Sequence, residues 1–122
     1  MQYTGGKGFF GQQPTPTAKA ASATLTIAEL LTSIVTTSGT TAITLTLPTG
    51  TLTDAGVTAP ALPVNGCFDW CVINTGTGSG AVTVSAGSTH TTVGSTAIPI
   101  ATSASFRTRK TAANVFVTYR MR

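Results

Sequence analysis

From residue 42 onward the sequence keeps a period of two. Ile43, Leu45 and Leu47 alternate with Thr44 and Thr46, which puts three aliphatic side chains on one face of a strand and hydroxyls on the other. Threonine suits the half-exposed face because its branched side chain packs well on a pleated surface. The alternation returns at Val82 and Val84, and again at Val115, Val117 and Tyr119. Breaks between these segments are short. Pro48-Thr49-Gly50 stops the first strand, Leu52 to Ala55 has room for one turn of helix, and Asn65-Gly66 makes a turn. Pro60 and Pro63 keep residues 59–64 in extended loop, and TGTGSG at 75–80 reads as flexible. Further strands are expected at 81–86, around 91–93, and at 96–101, 104–109 and 114–120. Short strands at this spacing predict an all-β fold, an antiparallel β-sandwich or jelly-roll-like barrel.

One strand is different. CFDWCVIN at 67–74 places Cys67, Asp69, Cys71 and Ile73 on one face and Phe68, Trp70 and Val72 on the other. Both faces carry large apolar groups, so the strand belongs mid-sheet or at a subunit seam.

The N-terminal part departs from this pattern. In TLTIAELLTSIV at 24–35, Thr26 and Glu29 form a capping box, and Leu25 with Leu30 forms the matching hydrophobic staple. Ile27, Leu30, Leu31 and Ile34 recur at helical spacing, so one short helix is expected, ending near Ser38-Gly39. Residues 1–23, with Gly5, Gly6, Gly8, Gly11, Pro14 and Pro16, read as an extended arm, and 24–122 as the β-rich body. Tyr3, Phe9 and Phe10 are aromatic anchors on a segment too short to bury them itself, which suits docking on a neighbouring subunit or another partner.

Composition narrows the function. The 122 residues make one domain, which buries roughly two-thirds of the surface its unfolded chain exposes. Charged residues are only 8% of the chain while 41% are hydrophobic, against roughly 25% charged in an average soluble domain. This excludes disorder, which needs low hydrophobicity and high charge, and it leaves a hydroxyl-rich surface that associates without the cost of burying ions. Self-association is expected. The acids are Glu29, Asp54 and Asp69, whereas five of the seven basic residues, Arg107, Arg109, Lys110, Arg120 and Arg122, fall in the last sixteen positions. That end is positive and suits an acidic partner. No apolar run approaches the roughly 20 residues of a membrane span, and no signal peptide is recognised at the N-terminus, so assembly in a cytoplasm is expected.

Catalytic chemistry finds no staff. Three scattered carboxylates do not make an acid–base pair, and His90, in GSTHTTVG, has no nucleophile elbow near it and reads as a loop-tip or subunit-contact residue. Cys67 and Cys71 on one strand stand about 13 Å apart at 3.3 Å per residue, beyond the roughly 7 Å a disulfide tolerates. With one histidine they do not complete a metal set, so they read as buried free thiols. The glycine-rich stretches lack the Lys-Ser/Thr of a phosphate loop. No catalytic residue, cofactor, metal or small-molecule substrate is expected. A nucleic-acid-binding β-barrel is a weaker alternative, resting on Arg107 and Arg109 beside Phe116 and Tyr119.

The segments TLTIAELLTSIVT (24–36), TLTLPTGTLTDAG (44–56), FDWCVINTG (68–76), VTVSAGSTHTTVG (82–94) and SFRTRKT (105–111) stand in that order. In this the chain resembles small tailed-phage virion proteins, among them capsid decoration (cement) proteins and appendage subunits. The resemblance covers about 24–122. It implies a homotrimeric β-rich subunit bound to a capsid shell of major capsid protein, with no catalytic residues. The partner contacts expected are Tyr3, Phe9 and Phe10 on the arm and Arg107, Arg109, Lys110, Arg120 and Arg122 on the body. A tail or head fibre subunit is the alternative, weakened by the absence of heptads or repeats.

Overall fold

The computed structural model describes residues 11–58 and 60–122; Tyr3, Phe9 and Phe10 lie outside them. The fold is mostly β, in two sheets that share one core. Its first part is a coil. Strands β1 (Thr17–Lys19), β3 (Ile34–Thr37) and β5 (Cys67–Asn74) lie parallel in one sheet, and β2 (Ala23–Thr24), β4 (Ile43–Thr46) and β6 (Val82–Ser85) lie parallel in the other. Residues 17–85 therefore make three stacked turns, each contributing one strand to each sheet. Equivalent positions stack from turn to turn: Val35 on Val72, Leu45 on Val84, Ile43 on Val82, all buried.

The remaining strands close the two sheets. β9 (Ser103–Ala112) pairs antiparallel with β5, and β10 (Val115–Arg120) pairs antiparallel with β9. β7 (His90–Val93) lies parallel to β10 at the far edge, and β8 (Ala97–Ile98) pairs antiparallel with β6. The strand orders are β1-β3-β5-β9-β10-β7 and β2-β4-β6-β8. The uniformly antiparallel arrangement expected of a jelly-roll-like barrel is thus corrected. Only three of the eight pairings are antiparallel, because the chain crosses to the other sheet after nearly every strand, and a strand that returns after a full turn arrives parallel.

Sheet pairing starts at Thr17, so the first turn of the coil includes residues assigned above to the arm. The helix is also shorter than expected. Thr26 caps it, with Glu29 N–H donating to Thr26 Oγ1 at 3.1 Å and Thr26 N–H donating to Glu29 Oε1 at 3.0 Å, and Leu25 and Leu30 are both buried in the common core. Yet α1 spans only Ile27–Leu30. Ser33 takes a positive φ of 70°, after which the β-branched run Ile34 to Thr37 enters the sheet, where such residues pack best. A second helix, α2 (Gly50–Gly56), follows β4 and is capped by Thr49.

Corners of the coil stack as tightly as its strands. Thr75, Thr77 and Ser79 N–H donate to the carbonyls of Thr37, Gly39 and Thr40, the corner of the turn below. A Cβ on Gly80 would stand 2.2 Å from the Gly39 carbonyl oxygen, and one on Gly76 would stand 2.6 Å from it. TGTGSG is therefore a packed corner whose glycines permit backbone-on-backbone contact. Buried Asn74 organises it. Its Nδ2 donates to the Gly80 and Ile98 carbonyls at 2.9 and 3.0 Å, while Oδ1 accepts from Gly76 N–H at 2.8 Å and from Thr37 Oγ1 at 3.2 Å. All four hydrogen-bonding positions of the amide are filled, and the Ile98 bond reaches the opposite sheet.

A second buried polar chain crosses the larger sheet. Trp70 Nε1 lies 3.0 Å from Thr108 Oγ1, Thr108 Oγ1 lies 2.7 Å from Thr118 Oγ1, and Thr118 Oγ1 lies 2.7 Å from His90 Nε2. His90 Nδ1 lies 2.9 Å from the Pro48 carbonyl. The Pro48 carbonyl only accepts, so Nδ1 carries a proton. Burial disfavours the charged ring, so Nε2 accepts from Thr118 and each hydroxyl donates onward toward the imidazole. His90 is fully buried at the start of β7, which corrects its reading as a loop-tip or contact residue. Burial lowers its pKa from 6.5, and the bond to Pro48 only partly opposes that shift. Trp70 also stacks on Phe106 at 4.8 Å between ring centroids.

Two outcomes follow from these networks. Because the unfolded imidazole binds a proton below about pH 6.5 and the folded one resists it, folding stability is complete above that pH. It then falls, by at most about 1.4 kcal/mol per pH unit for one proton, as the medium is acidified toward the folded pKa; urea titrations between pH 7 and 5 measure this, and His90→Gln removes the slope. Asn74→Ala, which strands the Gly80 carbonyl at the corner and removes the bond to Ile98 in the opposite sheet, lowers unfolding free energy by about 2–4 kcal/mol in the same assay at pH 7.

Candidate docking face

The outer face of the larger sheet follows from its registers. Asp69, Arg107, Tyr119 and Val93 lie side by side across β5, β9, β10 and β7, and Cys67, Arg109, Val117 and Thr91 form the next row. Toward the coil, Ile34, Cys71 and Ser105 align, and Thr36, Ile73 and Ser103 beyond them. The opposite parity of the same strands, Val72, Phe106, Thr108, Phe116 and Thr118, is buried. The face is thus a pleated surface of aliphatic and hydroxyl side chains with a small charged centre.

The structure separates the five basic residues that sequence placed together. Arg107 is exposed and grips Asp69 with two bonds, Nε to Oδ1 at 2.6 Å and Nη2 to Oδ2 at 2.9 Å. This fork holds the Asp69 carboxyl below its ordinary range and raises the guanidinium. Arg109, on the same face, donates to Tyr119 Oη at 2.6 Å and to Asn65 Oδ1 at 3.1 Å, and neither partner neutralises it. Arg122 follows β10 and borders a groove of about 510 Å³ with Ser33, Cys71, Ser105, Arg107 and Met121.

Lys110 and Arg120 serve the fold. Lys110 has the inward parity and is mostly buried, donating to Asp54 Oδ1 at 2.9 Å and to the Leu62 carbonyl at 3.0 Å. Asp54 Oδ2 accepts the Asn114 N–H at 2.8 Å, and this bond, with that of Lys110, lowers the Asp54 pKa. The pair ties α2 to the β9–β10 turn. Arg120 is spent on the Ser95, Ala97 and Arg122 carbonyls and lies 5.9 Å from the Phe106 ring centroid. Both act as internal latches in the fold, for parity turns them toward the body. Arg107, Arg109 and Arg122 remain available to a partner.

Every carboxylate side chain is used internally. Lys19 Nζ meets Glu29 Oε2 at 2.6 Å; burial of Glu29 favours a higher pKa, but the bonds from Lys19 and Thr26 outweigh it and lower the value. Asp54 and Asp69 have the partners given above. Among the described residues, Arg109, Arg120 and Arg122 are the cations without a carboxylate partner.

Sequence reasoning missed Ile34, Asn65 and Met121 on this face. The first was hidden by its assignment to a helix, and Asn65 by its turn role. Cys67 is exposed and Cys71 half-buried, which corrects their reading as core thiols; both are free, on the outward parity, and burial raises the Cys71 pKa. Phe116 lies in the core, so Tyr119 is the aromatic ring that β10 contributes to the face. Among the described residues no three His, Cys, Asp or Glu side chains come together as a metal site.

No protein-family model, curated protein or solved structure matches the chain.

The division of labour among the cations is measurable. Asp54→Ala strands Lys110 and the Asn114 N–H and lowers stability by about 1–3 kcal/mol, whereas Arg122→Ala changes it by less than about 0.5 kcal/mol; urea unfolding of both variants separates the internal latch from the free charge.

Proposed function

We propose that this chain is a structural virion protein, a capsid decoration subunit of a tailed phage that binds an assembled shell as a homo-oligomer and stabilises it. In this reading the two-sheet body is a sandwich and the homo-oligomer is a trimer. The outer face of the larger sheet meets acidic groups of the major capsid protein, and the arm with Tyr3, Phe9 and Phe10 contacts a neighbouring subunit. Assembly in a host cytoplasm places the protein on the virion surface. It is not an enzyme and uses no cofactor.

The observation that carries the reading is the outer face itself. Exposed Ile73 and Val93 lie on the same sheet face as Arg109, Met121 borders the groove with Arg122, and the acids of the chain are already paired within it. A surface with apolar contacts and surplus positive charge suits an acidic protein partner, and steering by those charges weakens with salt. The resemblance in the segments quoted above points the same way. A second reading, a tail or head fibre subunit, is favoured by the three-turn coil, since stacked parallel turns are a geometry that lengthens by repetition.

Purified shells lacking the protein, mixed with it and sedimented, provide the test. Co-sedimentation is expected, with affinity that falls as salt rises, and Arg109→Glu with Arg122→Glu weakens it at least tenfold while the protein stays folded. Indifference of the wild-type protein to shells excludes the decoration role. Salt-sensitive binding to single-stranded DNA in place of shells favours the nucleic-acid alternative.

A further inference from the structure

An apolar groove of about 460 Å³ lies between the end of α1 and the loop after α2. Leu31, Val57, Leu62 and Pro63 line it, with Thr58 and Pro60, and no charged side chain borders it. Leu31 is 39% exposed there. One wall is fixed by close packing, since a Cβ on Gly56 would stand 2.1 Å from Ile27 Cγ2. Such a groove takes an apolar occupant of side-chain size.

The place where the described chain begins identifies one. Gln13 Nε2 donates to the Thr32 carbonyl at 2.6 Å, one residue past Leu31. Phe10 and Phe9 stand three and four residues before Gln13 in sequence, within a chain length of roughly 10–14 Å of that anchor. Residues 11–16 are exposed, and Pro14 and Pro16 hold φ fixed in the short stretch between the Gln13 anchor and β1. The root of the arm and the groove therefore share one corner of the subunit. Where such corners meet around a symmetry axis, a short tether carries the segment of one copy to the groove of the next. Exchange of identical segments closes a ring with one repeated contact.

We propose that this groove receives the Phe9-Phe10 pair of a neighbouring copy of the same chain. The inference rests on the homo-oligomer reading and names the contact that holds the oligomer. Two adjacent phenyl rings supply enough apolar area to matter, and a groove without charge discriminates against the acidic partner suited to the outer face.

Sedimentation of the full-length protein over a concentration series tests it. Phe9→Ser with Phe10→Ser, and separately Leu31→Glu, are each expected to weaken self-association about 100-fold or more, with far-UV circular dichroism unchanged. Because one variant keeps its groove and the other its arm, mixing them gives a one-to-one pair through the single intact contact and no closed ring. Unaltered association of the double serine variant, which leaves the body untouched, overturns the proposal while the oligomer stands. Isotope-labelled Leu31 and Leu62 methyl signals that respond to the serine changes in dilute monomer also overturn it, by showing occupation from the same chain. A full-length protein that stays monomeric throughout sinks the oligomer reading and this contact together, and shell binding is read separately.

Discussion

Asn74 holds together what the coil alone leaves separate. A parallel β coil stacks its turns through backbone bonds, but those bonds run within each sheet and leave the distance between sheets to side chains. The Asn74 amide sits at the corner where the third turn passes from one sheet to the other and joins β3, the corner glycines and β8. Being buried, it is stabilising only with every position filled, since each lost partner exposes the full desolvation cost of what remains. The close glycine contacts at Gly76 and Gly80 let those carbonyls come within reach. The His90 chain plays the corresponding part across β5, β9, β10 and β7, where aliphatic packing is interrupted by threonine.

Charge is used sparingly and in a definite order. Three carboxylates fix three joints: Glu29 ties α1 to β1 through Lys19, Asp54 ties α2 to the last hairpin, and Asp69 crosses from β5 to β9. Arg120 serves backbone carbonyls in the same way. What is left for a partner is positive and sits among hydroxyls and aliphatics on one sheet face. That arrangement connects the low charge content to the association proposed above, because a surface with few hydrated ions loses little on burial.

Much of this was legible along the strands. The division of β5, β9 and β10 into two faces followed from alternation, but which face points inward did not: Cys67 and Cys71 lie on the outward side of β5, and on β10 Phe116 and Thr118 are buried while Val115, Val117 and Tyr119 face outward. The capping box and staple located the start of α1, since their partners lie three and four residues apart. Its end was misplaced, because Ile34 satisfies a helical period and a strand period equally and only pairing with Cys71 on β5 decides between them. Lys110 and Arg120 were grouped with the other cations because proximity in sequence says nothing of which carbonyl or carboxylate the fold brings near. The coil was invisible as a repeat, since its turns differ in length and one contains α2.

The sequence by itself determined the local chemistry: β-strands where branched and aliphatic residues alternate, a capped helical turn at Thr26, a surface poor in ions, and a surplus of positive charge near the C-terminal end. Those properties depend on neighbours within a few residues. Tertiary structure alone decided that the strands run mostly parallel in two sheets, that His90 is a buried neutral link, that the cysteines face outward, and which cations remain unspent. Each of these depends on pairing between residues tens of positions apart, where the long crossover, the buried carbonyl and the packed corner select one arrangement from many that the local pattern permits.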